Sequence, residues 1–327
     1  MRLLIHERSW GRIAPQVAAD RLQPVLMNDQ GEIRLDGQAI SADDARPELA
    51  WANQDVFFGG GGRAFYAAML KSPDLKWVQS GAAGFDNPIF GSIIQKGARL
   101  TTSHGQAVGM ADYVLWGVLD HLQRGPERRA AHAAGEWKRT PFREIAGSHW
   151  TILGFGAIGR GVAVRARAFG AHVTGVRRSP GPDAAADRIA SVADFAGLLP
   201  DTDVLVLAAP LTAETRHIMG ADTLGRMKPG SILVNVGRGP LVDEPALLAA
   251  LDRGAPGHAV LDVFETEPLP ADSPFWTHPN VTLTPHSSGM SAGNAPRNDA
   301  IFVENLALYL AGEPLKNEAS AADVLAG

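Results

Sequence analysis

The chain has 327 residues, of which 45% are hydrophobic and 20% are charged. This length suggests about two domains, and the composition is that of a folded globular protein rather than a disordered chain. Thirty basic residues against 35 acidic ones leave a formal charge of −5, which argues against a general nucleic-acid binder. Because the chain has no cysteine, disulfides, thiolate metal sites and a cysteine nucleophile are excluded.

The sequence near residue 1 has an apolar run of only three residues, Leu3–Ile5, which is too short for a signal peptide. No segment approaches the roughly 20 apolar residues of a membrane helix. We therefore expect a cytoplasmic protein with no membrane or nucleic-acid partner. No residue spacing is typical of metal ligands, so we also expect no metal site.

The first hundred residues alternate between short apolar segments and helical spacing. Strands are predicted at residues 2–5, 24–27 and 76–79, with a further short segment at 55–58 that ends in four glycines, and a helix is predicted at 63–70. This alternation is typical of βαβ units and a parallel sheet. Residues 101–103 offer N-cap side chains for a long helix that ends near Gly125.

A second alternating block begins at residue 149. Apolar runs predict strands at residues 150–153, 172–176, 203–208, 231–236, 259–263 and 281–284. One helix is predicted directly after the first of these strands. Others are predicted at 192–199 and 245–251, and a terminal helix is predicted at 300–310. The block therefore predicts one doubly wound α/β domain.

A glycine-rich turn follows the first strand of this block. Gly154, Gly156 and Gly159, with Ala157 and Ile158 between them, match G-x-G-x-x-G. A strand precedes the turn and a helix follows it, which is the context that dinucleotide binding requires. The first glycine permits the tight turn, the second admits a pyrophosphate and the third lets helix and strand approach. The turn predicts a Rossmann nucleotide domain.

The next strand ends without an acidic residue. A carboxylate at this position binds the ribose hydroxyls of NAD, whereas an arginine suits the 2′-phosphate of NADP. The residues here are Arg177, Arg178 and Ser179. Two guanidinium groups and a hydroxyl favour a phosphate, so we predict NADP(H) over NAD(H).

Three further strands end in polar segments. Arg238 follows the strand at 231–236, acidic residues follow 259–263, and His286 follows 281–284. Ligands of open α/β sheets bind at the carboxyl ends of the strands. An arginine, a carboxylate and a histidine are thus expected at the edge that carries the glycine turn. His278 is the rival histidine, and Glu265 is interpreted as a solvated side chain.

With these motifs the chain resembles the D-isomer-specific 2-hydroxyacid dehydrogenases, in particular the glyoxylate/hydroxypyruvate reductase-like branch. Pro210 and Thr215 carry a further family motif, and the resemblance covers nearly the whole chain. It implies a smaller flavodoxin-like α/β substrate domain formed by residues 1–103 and 289–327. The Rossmann nucleotide domain, residues 104–288, is inserted between these two parts.

The resemblance also assigns roles to residues. It implies that Glu267 pairs with His286, that Arg238 binds the substrate, and that Ala82, Ala83 and Gly84 hold the substrate carboxylate, with Phe85 following that turn. Asp262 is matched to a contact with the nicotinamide. A homodimer is implied through about residues 104–148, where Trp137 and Phe142 could anchor a partner. The residues expected to contact the cofactor are Gly154, Gly156, Ala157, Ile158, Gly159, Arg177, Arg178, Ser179, Pro210, Thr215, Val236, Gly237, Asp262, His286 and Gly289.

We therefore expect NADPH-dependent reduction of a small 2-oxo acid, such as glyoxylate or hydroxypyruvate, with His286 as proton donor. The alternatives are NAD-linked oxidation of another D-2-hydroxy acid and a nucleotide-sensing protein without activity. The arginine pair argues against the first alternative. The presence of Arg238, Glu267 and His286 together argues against the second.

Overall fold

The computed structural model describes residues 1–84 and 87–325, so Phe85 lies outside the described residues. The chain divides into two compact units. The first unit comprises Met1–Gln106 and Ser291–Gly327, and the second comprises Ala107–Met290.

The first unit contains a seven-stranded sheet. Its strands are β1 (Arg2–His6), β2 (Gln23–Met27), β3 (Ile33–Leu35), β4 (Gln38–Ile40), β5 (Leu49–Ala52), β6 (Trp77–Ser80) and β7 (Arg99–Thr101). The order is β4-β3-β2-β1-β5-β6-β7. Five neighbouring strands, β2-β1-β5-β6-β7, are parallel and follow the flavodoxin-like order. Asp36 and Gly37, both at positive φ, join β3 and β4 as an antiparallel hairpin at the edge.

Short helices connect these strands. They are α1 (Glu7–Ile13), α2 (Ala42–Ala45), α3 (Gln54–Phe58), α4 (Gly62–Lys71) and α5 (Pro88–Gln95). Side chains of Ser41, Asn53 and Asn87 accept hydrogen bonds from the first turns of α2, α3 and α5. These N-caps are the local reason that each helix begins where it does.

The second unit has a seven-stranded sheet in which every pairing is parallel. Its strands are β8 (His149–Leu153), β9 (His172–Val176), β10 (Arg188–Ala190), β11 (Val204–Leu207), β12 (Ile232–Asn235), β13 (His258–Leu261) and β14 (Val281–Leu283). The order β10-β9-β8-β11-β12-β13-β14 reverses beside β8, which is the Rossmann arrangement. The α-helices are α6 (Ala107–Leu122), α7 (Gly125–Ala133), α8 (Ala157–Ala168), α9 (Phe195–Leu198), α10 (Ala221–Leu224) and α11 (Glu244–Asp252).

The hydrophobic pattern of the strands explains why both faces of this sheet are covered. Along β11, Val204 and Val206 belong to one core cluster, and Leu205 and Leu207 belong to the other. Successive side chains of a strand point to opposite faces, so a continuous apolar run requires a layer on each side. The predicted α/β class, a Rossmann domain with a second flavodoxin-like sheet, is confirmed.

The end of the chain belongs to the first unit. Helix α12 (Asn294–Ala311) places Phe302 between Trp51 and Trp77, with ring centroids 5.0 and 5.7 Å away. The short helix α13 (Ala321–Leu325) contributes Val324 to the core on the other face of the sheet. Among the described residues, no helix is both long and apolar enough to cross a membrane.

Three element predictions were wrong in detail. The long helix begins at Ala107 rather than at residues 101–103, because Thr101 ends β7, where it receives a hydrogen bond from Trp77. Residues 55–58 are helical, and the strand is Leu49–Ala52, which pairs with β1 and β6. The helix predicted at 192–199 is broken into a 3₁₀ turn, α9 and a second 3₁₀ turn.

Candidate active site

Four turns of the second unit follow the carboxyl ends of parallel strands. They are the glycine turn after β8, the Arg238 turn after β12, the acidic loop after β13 and the His286 turn after β14. Strands β12, β13 and β14 are neighbours in the sheet. Parallel strands bring their carboxyl ends to one edge, so the topology brings these turns to the same side of the domain.

A histidine and a carboxylate form a pair at this edge. Nδ1 of His286 lies 2.7 Å from Oε2 of Glu267. The other carboxylate oxygen of Glu267 accepts a hydrogen bond from the backbone N–H of Phe264, at 3.0 Å. The His286 side chain is 53% exposed and that of Glu267 is 34% exposed. The pair is therefore held firmly on one side and open to solvent on the other.

Asp262 holds the backbone around His286. Its buried carboxylate accepts hydrogen bonds from the N–H groups of Ser287 and Ser288, and from the hydroxyl of Thr284 at 2.6 Å. The backbone N–H of His286 donates to the carbonyl of Asp262 at 2.8 Å. His286 has φ of 49°, a left-handed conformation that costs a non-glycine residue about 1–2 kcal/mol. These hydrogen bonds offset that cost and fix the orientation of the imidazole.

Tyr113 supports the same turn from helix α6. Its hydroxyl lies 2.7 Å from the hydroxyl of Thr284. Burial raises the pKa of Tyr113 above its ordinary value, and the nearby charge of Asp262 raises it further. Tyr113 is therefore neutral in the working pH range and acts here as a hydrogen-bonding group.

The Arg238 turn is shaped by the side chain of Asn235, at the end of β12. Asn235 accepts from the N–H of Gly237 at 3.1 Å and donates to the carbonyl of Arg238 at 2.9 Å. The Arg238 side chain is partly exposed, and its guanidinium donates to the carbonyl of Gly237. Val236 and Gly237 are buried beneath the turn.

The glycine turn has the features that the sequence predicts. Gly154 has φ of +93°, and a Cβ there would overlap the backbone of Ala208 and Ala209. A Cβ at Gly159 would overlap the carbonyl oxygen of Gly154. Beside Gly156, in contrast, a Cβ would meet nothing within 4 Å. Helix α8 begins at the next residue, Ala157, and no side chain caps its first N–H groups.

The two arginines after β9 differ in their surroundings. The guanidinium of Arg177 donates to the carbonyl of Gly181 at 2.8 Å and lies 3.5 Å from Asp183. Asp183 also pairs with Arg160 at 2.8 Å. A hydrogen bond from the Ala185 N–H lowers the pKa of Asp183, and the two arginines lower it further. Arg178 and Ser179 are exposed.

Other predicted cofactor residues lie on loops of the same unit. The hydroxyl of Thr215 donates to the carbonyl of Pro210 at 2.8 Å and accepts from the N–H of Thr212 at 2.7 Å, which closes the 210–215 loop. Gly289 follows Ser288 just beyond the His286 turn and is half-buried.

The predicted substrate turn belongs to the first unit, after β6. Ala82, Ala83 and Gly84 are half-buried there. The N–H of Ala82 donates to the hydroxyl of Ser80, and its carbonyl accepts from the N–H of Ser103. The assignment of these three residues to the substrate carboxylate remains a prediction.

His278 and Glu265, the alternatives to His286 and Glu267, have different surroundings. His278 precedes β14, so it lies at the opposite, amino end of that strand, where its side chain is 11% exposed beside Asp252. Glu265 is exposed, in line with its interpretation as a solvated side chain, but it also has a partner. Its carboxylate lies 2.6 Å from Nε2 of His217, and its N–H donates to Glu244 at 2.7 Å.

Sequence reasoning missed Tyr113, Thr284 and Asn235 as supports of the site. Thr284 and Asn235 have a recognisable signal, since each is a polar residue at the end of an apolar strand. Tyr113 has none, because 171 positions separate it from Thr284.

Comparison with known proteins identifies the family of this chain. The family model described as "D-isomer specific 2-hydroxyacid dehydrogenase, NAD binding domain" matches residues 115–288. The chain belongs to the D-isomer-specific 2-hydroxyacid dehydrogenase family. This dehydrogenase is therefore an oxidoreductase whose second unit matches the family's nucleotide domain.

A curated relative and two solved structures extend the match across the chain. The dehydrogenase is 35% identical to glyoxylate/hydroxypyruvate reductase B of Yersinia enterocolitica over 86% of this chain and 88% of that one. It is 30% identical to a family member of Aeromonas salmonicida, with a TM-score of 0.79 and 98% of each chain covered. A family member of Xanthobacter autotrophicus, solved in complex with NADPH and MES, is 27% identical with a TM-score of 0.77, covering 99% and 98%.

The residues present fit a nicotinamide dinucleotide. The open space beside Gly156 and the uncapped start of α8 provide the N–H groups and partial positive charge that bind a pyrophosphate. Within the described residues, no cluster of histidine and acidic side chains could hold a metal ion.

Proposed function

We propose that this dehydrogenase reduces a small 2-oxo acid, such as glyoxylate or hydroxypyruvate, to the D-2-hydroxy acid, with NADPH preferred over NADH. The observation that carries this proposal is the pairing of His286 with Glu267 at the sheet edge that also bears Arg238 and the glycine turn. The names of the curated relatives support the substrate class. In this proposal the second unit is the nucleotide domain and the first is the substrate domain.

Each side chain has a defined task in the proposed reaction. NADPH supplies the hydride when bound. Because Nδ1 of His286 is held by Glu267, Nε2 is the ring nitrogen that donates the proton to the carbonyl oxygen. The carboxylate of Glu267 holds the ring through Nδ1, so Nε2 stays available to the substrate. Arg238 stabilises the negative charge that develops on the oxygen and pairs with the substrate carboxylate.

The proposed preference for NADPH rests on the end of β9. Arg178 and Ser179 are exposed there, as a 2′-phosphate would require. Asp183, the acidic residue closest along the chain after this strand end, is bound by Arg160 and Arg177. Its carboxylate is therefore committed to arginines rather than to ribose hydroxyls. We assign the larger part of phosphate binding to Arg178.

The first experiment is a matrix of initial rates, followed by the loss of the reduced-nicotinamide absorbance. NADPH and NADH are each offered with glyoxylate, hydroxypyruvate, pyruvate and phenylpyruvate. Turnover with NADPH and weak use of NADH supports both parts of the proposal. Turnover with NADH alone leaves the catalytic residues in place and favours the NAD-linked alternative. Tight NADPH binding without turnover of any substrate favours the nucleotide sensor.

A pair of matched variants tests the assignment of Arg178. Arg178→Leu should raise the KM for NADPH about tenfold to a hundredfold, because charge-assisted hydrogen bonds to the phosphate are lost. Arg177→Leu should have a smaller effect, since Arg177 already bonds Gly181 and Asp183. The KM for NADH is the internal control. Equal effects of the two variants, or none, would contradict the assignment.

We also propose that the dehydrogenase forms a homodimer through about residues 104–148 and works in the cytoplasm. Trp137 is 94% exposed, Phe142 is 50% exposed and Trp116 is 46% exposed, which is unusual for large apolar side chains. Two surface depressions of about 580 and 600 Å³ lie along α6 in the same region. Light scattering should give twice the mass of the chain, and Trp137→Glu should give the mass of one chain. A monomeric unmodified protein would contradict this assembly.

A further inference from the structure

A second histidine–carboxylate pair lies close to the first in the chain and is not used by the proposed reaction. Nε2 of His217 is 2.6 Å from Oε1 of Glu265, which is two residues before Glu267. The side chains of His217 and Glu265 are 44% and 32% exposed. An exposed ion pair by itself contributes little to stability, so the question is what this pair connects.

On one side, His217 is tied to the turn that carries Arg238. Its backbone N–H donates to the carbonyl of Pro240 at 2.8 Å. Two residues later, the N–H of Met219 donates to Leu241, and Met219 forms an isolated parallel bridge with Val242. The segment around His217 is thus hydrogen-bonded to the chain directly after Arg238.

On the other side, Glu265 lies in the loop that orients Glu267. The N–H of Phe264 donates to Glu267, and the next N–H, that of Glu265, donates to Glu244 at 2.7 Å. Burial raises the pKa of Glu244, and the charge of Glu265 raises it further. Since Glu265 faces a second carboxyl group there, the imidazole of His217 is the partner that satisfies its carboxylate.

The two segments also touch backbone to backbone. A Cβ at Gly239 would overlap the carbonyl group of Phe264 and crowd the nitrogen of Glu265. The Arg238 turn therefore lies directly against the loop of Glu267, and glycine is required for this approach. The two segments are therefore neighbours, and their side chains can form a contact between the turn and the loop.

His217 has the same unusual backbone conformation as His286. Its φ is 51°, a region that non-glycine residues seldom occupy. The surrounding hydrogen bonds hold the residue in this conformation and direct its ring toward Glu265. Such an outlier beside an active site motivates a functional hypothesis.

We propose that His217 and Glu265 form a positioning contact that holds the loop of Glu267 against the turn of Arg238. This inference rests on the proposed function, because it assigns the contact a purpose in the reaction of His286. The pair acts through Glu267 and Arg238, and it does not itself touch the reacting atoms. Misplacing a catalytic group by about 1 Å can cost up to a hundredfold in rate, so losing the contact would be visible in kcat.

The test uses two substitutions of His217, which distinguish the effect of its side-chain contact from the effect of its backbone conformation. His217→Asn tolerates the positive φ but is too short to reach Glu265. In His217→Gln, Nε2 is the same number of bonds from the backbone as Nε2 of histidine, so it can still donate. We expect His217→Asn to lower kcat about tenfold with little change in the KM for NADPH or in the melting temperature. His217→Gln should recover most of the loss.

Two further measurements complete the design. The matched control is His172→Asn, at the amino end of β9, which is the opposite edge of the same sheet. Its kcat should equal that of the unmodified dehydrogenase. In a double-mutant cycle, Glu265→Ala should add little to His217→Asn if the two residues act as one contact. Additive losses would contradict the pairing.

A readout independent of turnover separates this inference from the proposed function. Hydrogen exchange should be faster at the amides of Phe264 and Glu265 in His217→Asn than in the unmodified protein or in His217→Gln. If no 2-oxo acid is reduced, the proposed function fails, and exchange still reports whether His217 holds the loop. Unchanged exchange together with unchanged kcat would overturn the inference. A loss of kcat that accompanies a lower melting temperature, without rescue by glutamine, would assign His217 a general structural role instead.

Discussion

In the second unit, the histidine–carboxylate pair that follows the parallel strands stays partly exposed, whereas in the first unit two carboxylates near the strand ends are largely buried in a closed network. The paired side chains of His286 and Glu267 are 53% and 34% exposed. After β1 and β5, in contrast, Arg12 bridges Asp55 at 2.6 Å and Asp299 at 2.5 Å. The two carboxylates are only 13% and 5% exposed.

Further side chains of the first unit join this network. Ser9 donates to Asp55 at 2.8 Å and is bonded by Asn53, and the indole of Trp51 donates to Asp299 at 3.0 Å. Buried charges persist only where they are paired and hydrogen-bonded in this way. Two sheets with the same number of strands thus use their carboxyl edges differently. Near the ends of β1 and β5 this closed edge contributes to stability, whereas the open edge of the second unit keeps its histidine–carboxylate pair accessible.

The largest effect that this comparison predicts is on His286→Ala. Without the proton donor, kcat for 2-oxo acid reduction should fall about 10³-fold, because general acid catalysis contributes roughly 10²–10⁴-fold. NADPH affinity, measured by fluorescence titration, should change little, since the glycine turn and the β9 arginines are intact. His172→Ala serves as the control histidine at the opposite edge. Near-normal turnover of His286→Ala would refute the assignment of the open edge to chemistry.

The next largest expected effect is a loss of stability when Arg12 is replaced. Arg12→Leu leaves Asp55 and Asp299 close together without their shared cation. We expect a loss of about 2–3 kcal/mol in the free energy of unfolding, below the usual cost of breaking a fully buried pair because Arg12 is one-third exposed. Urea unfolding followed by tryptophan emission would measure it. If stability were unchanged while kcat collapsed, the closed edge would be part of the chemistry and the comparison would be broken.

A smaller effect appears in the acid dependence of the first unit. Burial raises the pKa of Asp55, but hydrogen bonds from Arg12 and Ser9 and the charge of Arg12 outweigh it, so the pKa lies below its ordinary value of 3.8. A lowered pKa stabilises the fold above the ordinary value, and the contribution is lost as the pH falls below about 4. The difference in unfolding free energy between the unmodified protein and Asp55→Asn should therefore shrink in acid. A difference that stayed constant down to acid pH would show that Asp55 acts by shape rather than by charge.

Much of the site was predictable because its signals are local. The apolar runs, the G-x-G-x-x-G turn and the polar residues at strand ends each occupy a few consecutive positions. The rule that parallel strands present their ends at one edge then brings distant segments together. The pairing of Glu267 with His286, implied by the family resemblance, is present in the structure at 2.7 Å.

Partners outside such patterns could not be read from the sequence. The contact between His217 and Glu265 joins residues 48 positions apart, and that between Trp51 and Asp299 spans 248. The contact between Arg177 and Asp183 depends on the conformation of the loop after β9. Strand Leu49–Ala52 escaped prediction for a similar reason, since pairing with β1 and β6 defines it rather than its own composition.

The fold class and the glycine turn thus follow from periodicity and short motifs, which depend on neighbours along the chain, and the family resemblance supplies the proposed catalytic residues. Which ion pairs are closed, which are left open and which side chains hold a loop in place depend on packing between segments far apart in sequence. Only the folded arrangement sets those distances, because burial and hydrogen bonding are properties of contacts rather than of residue types.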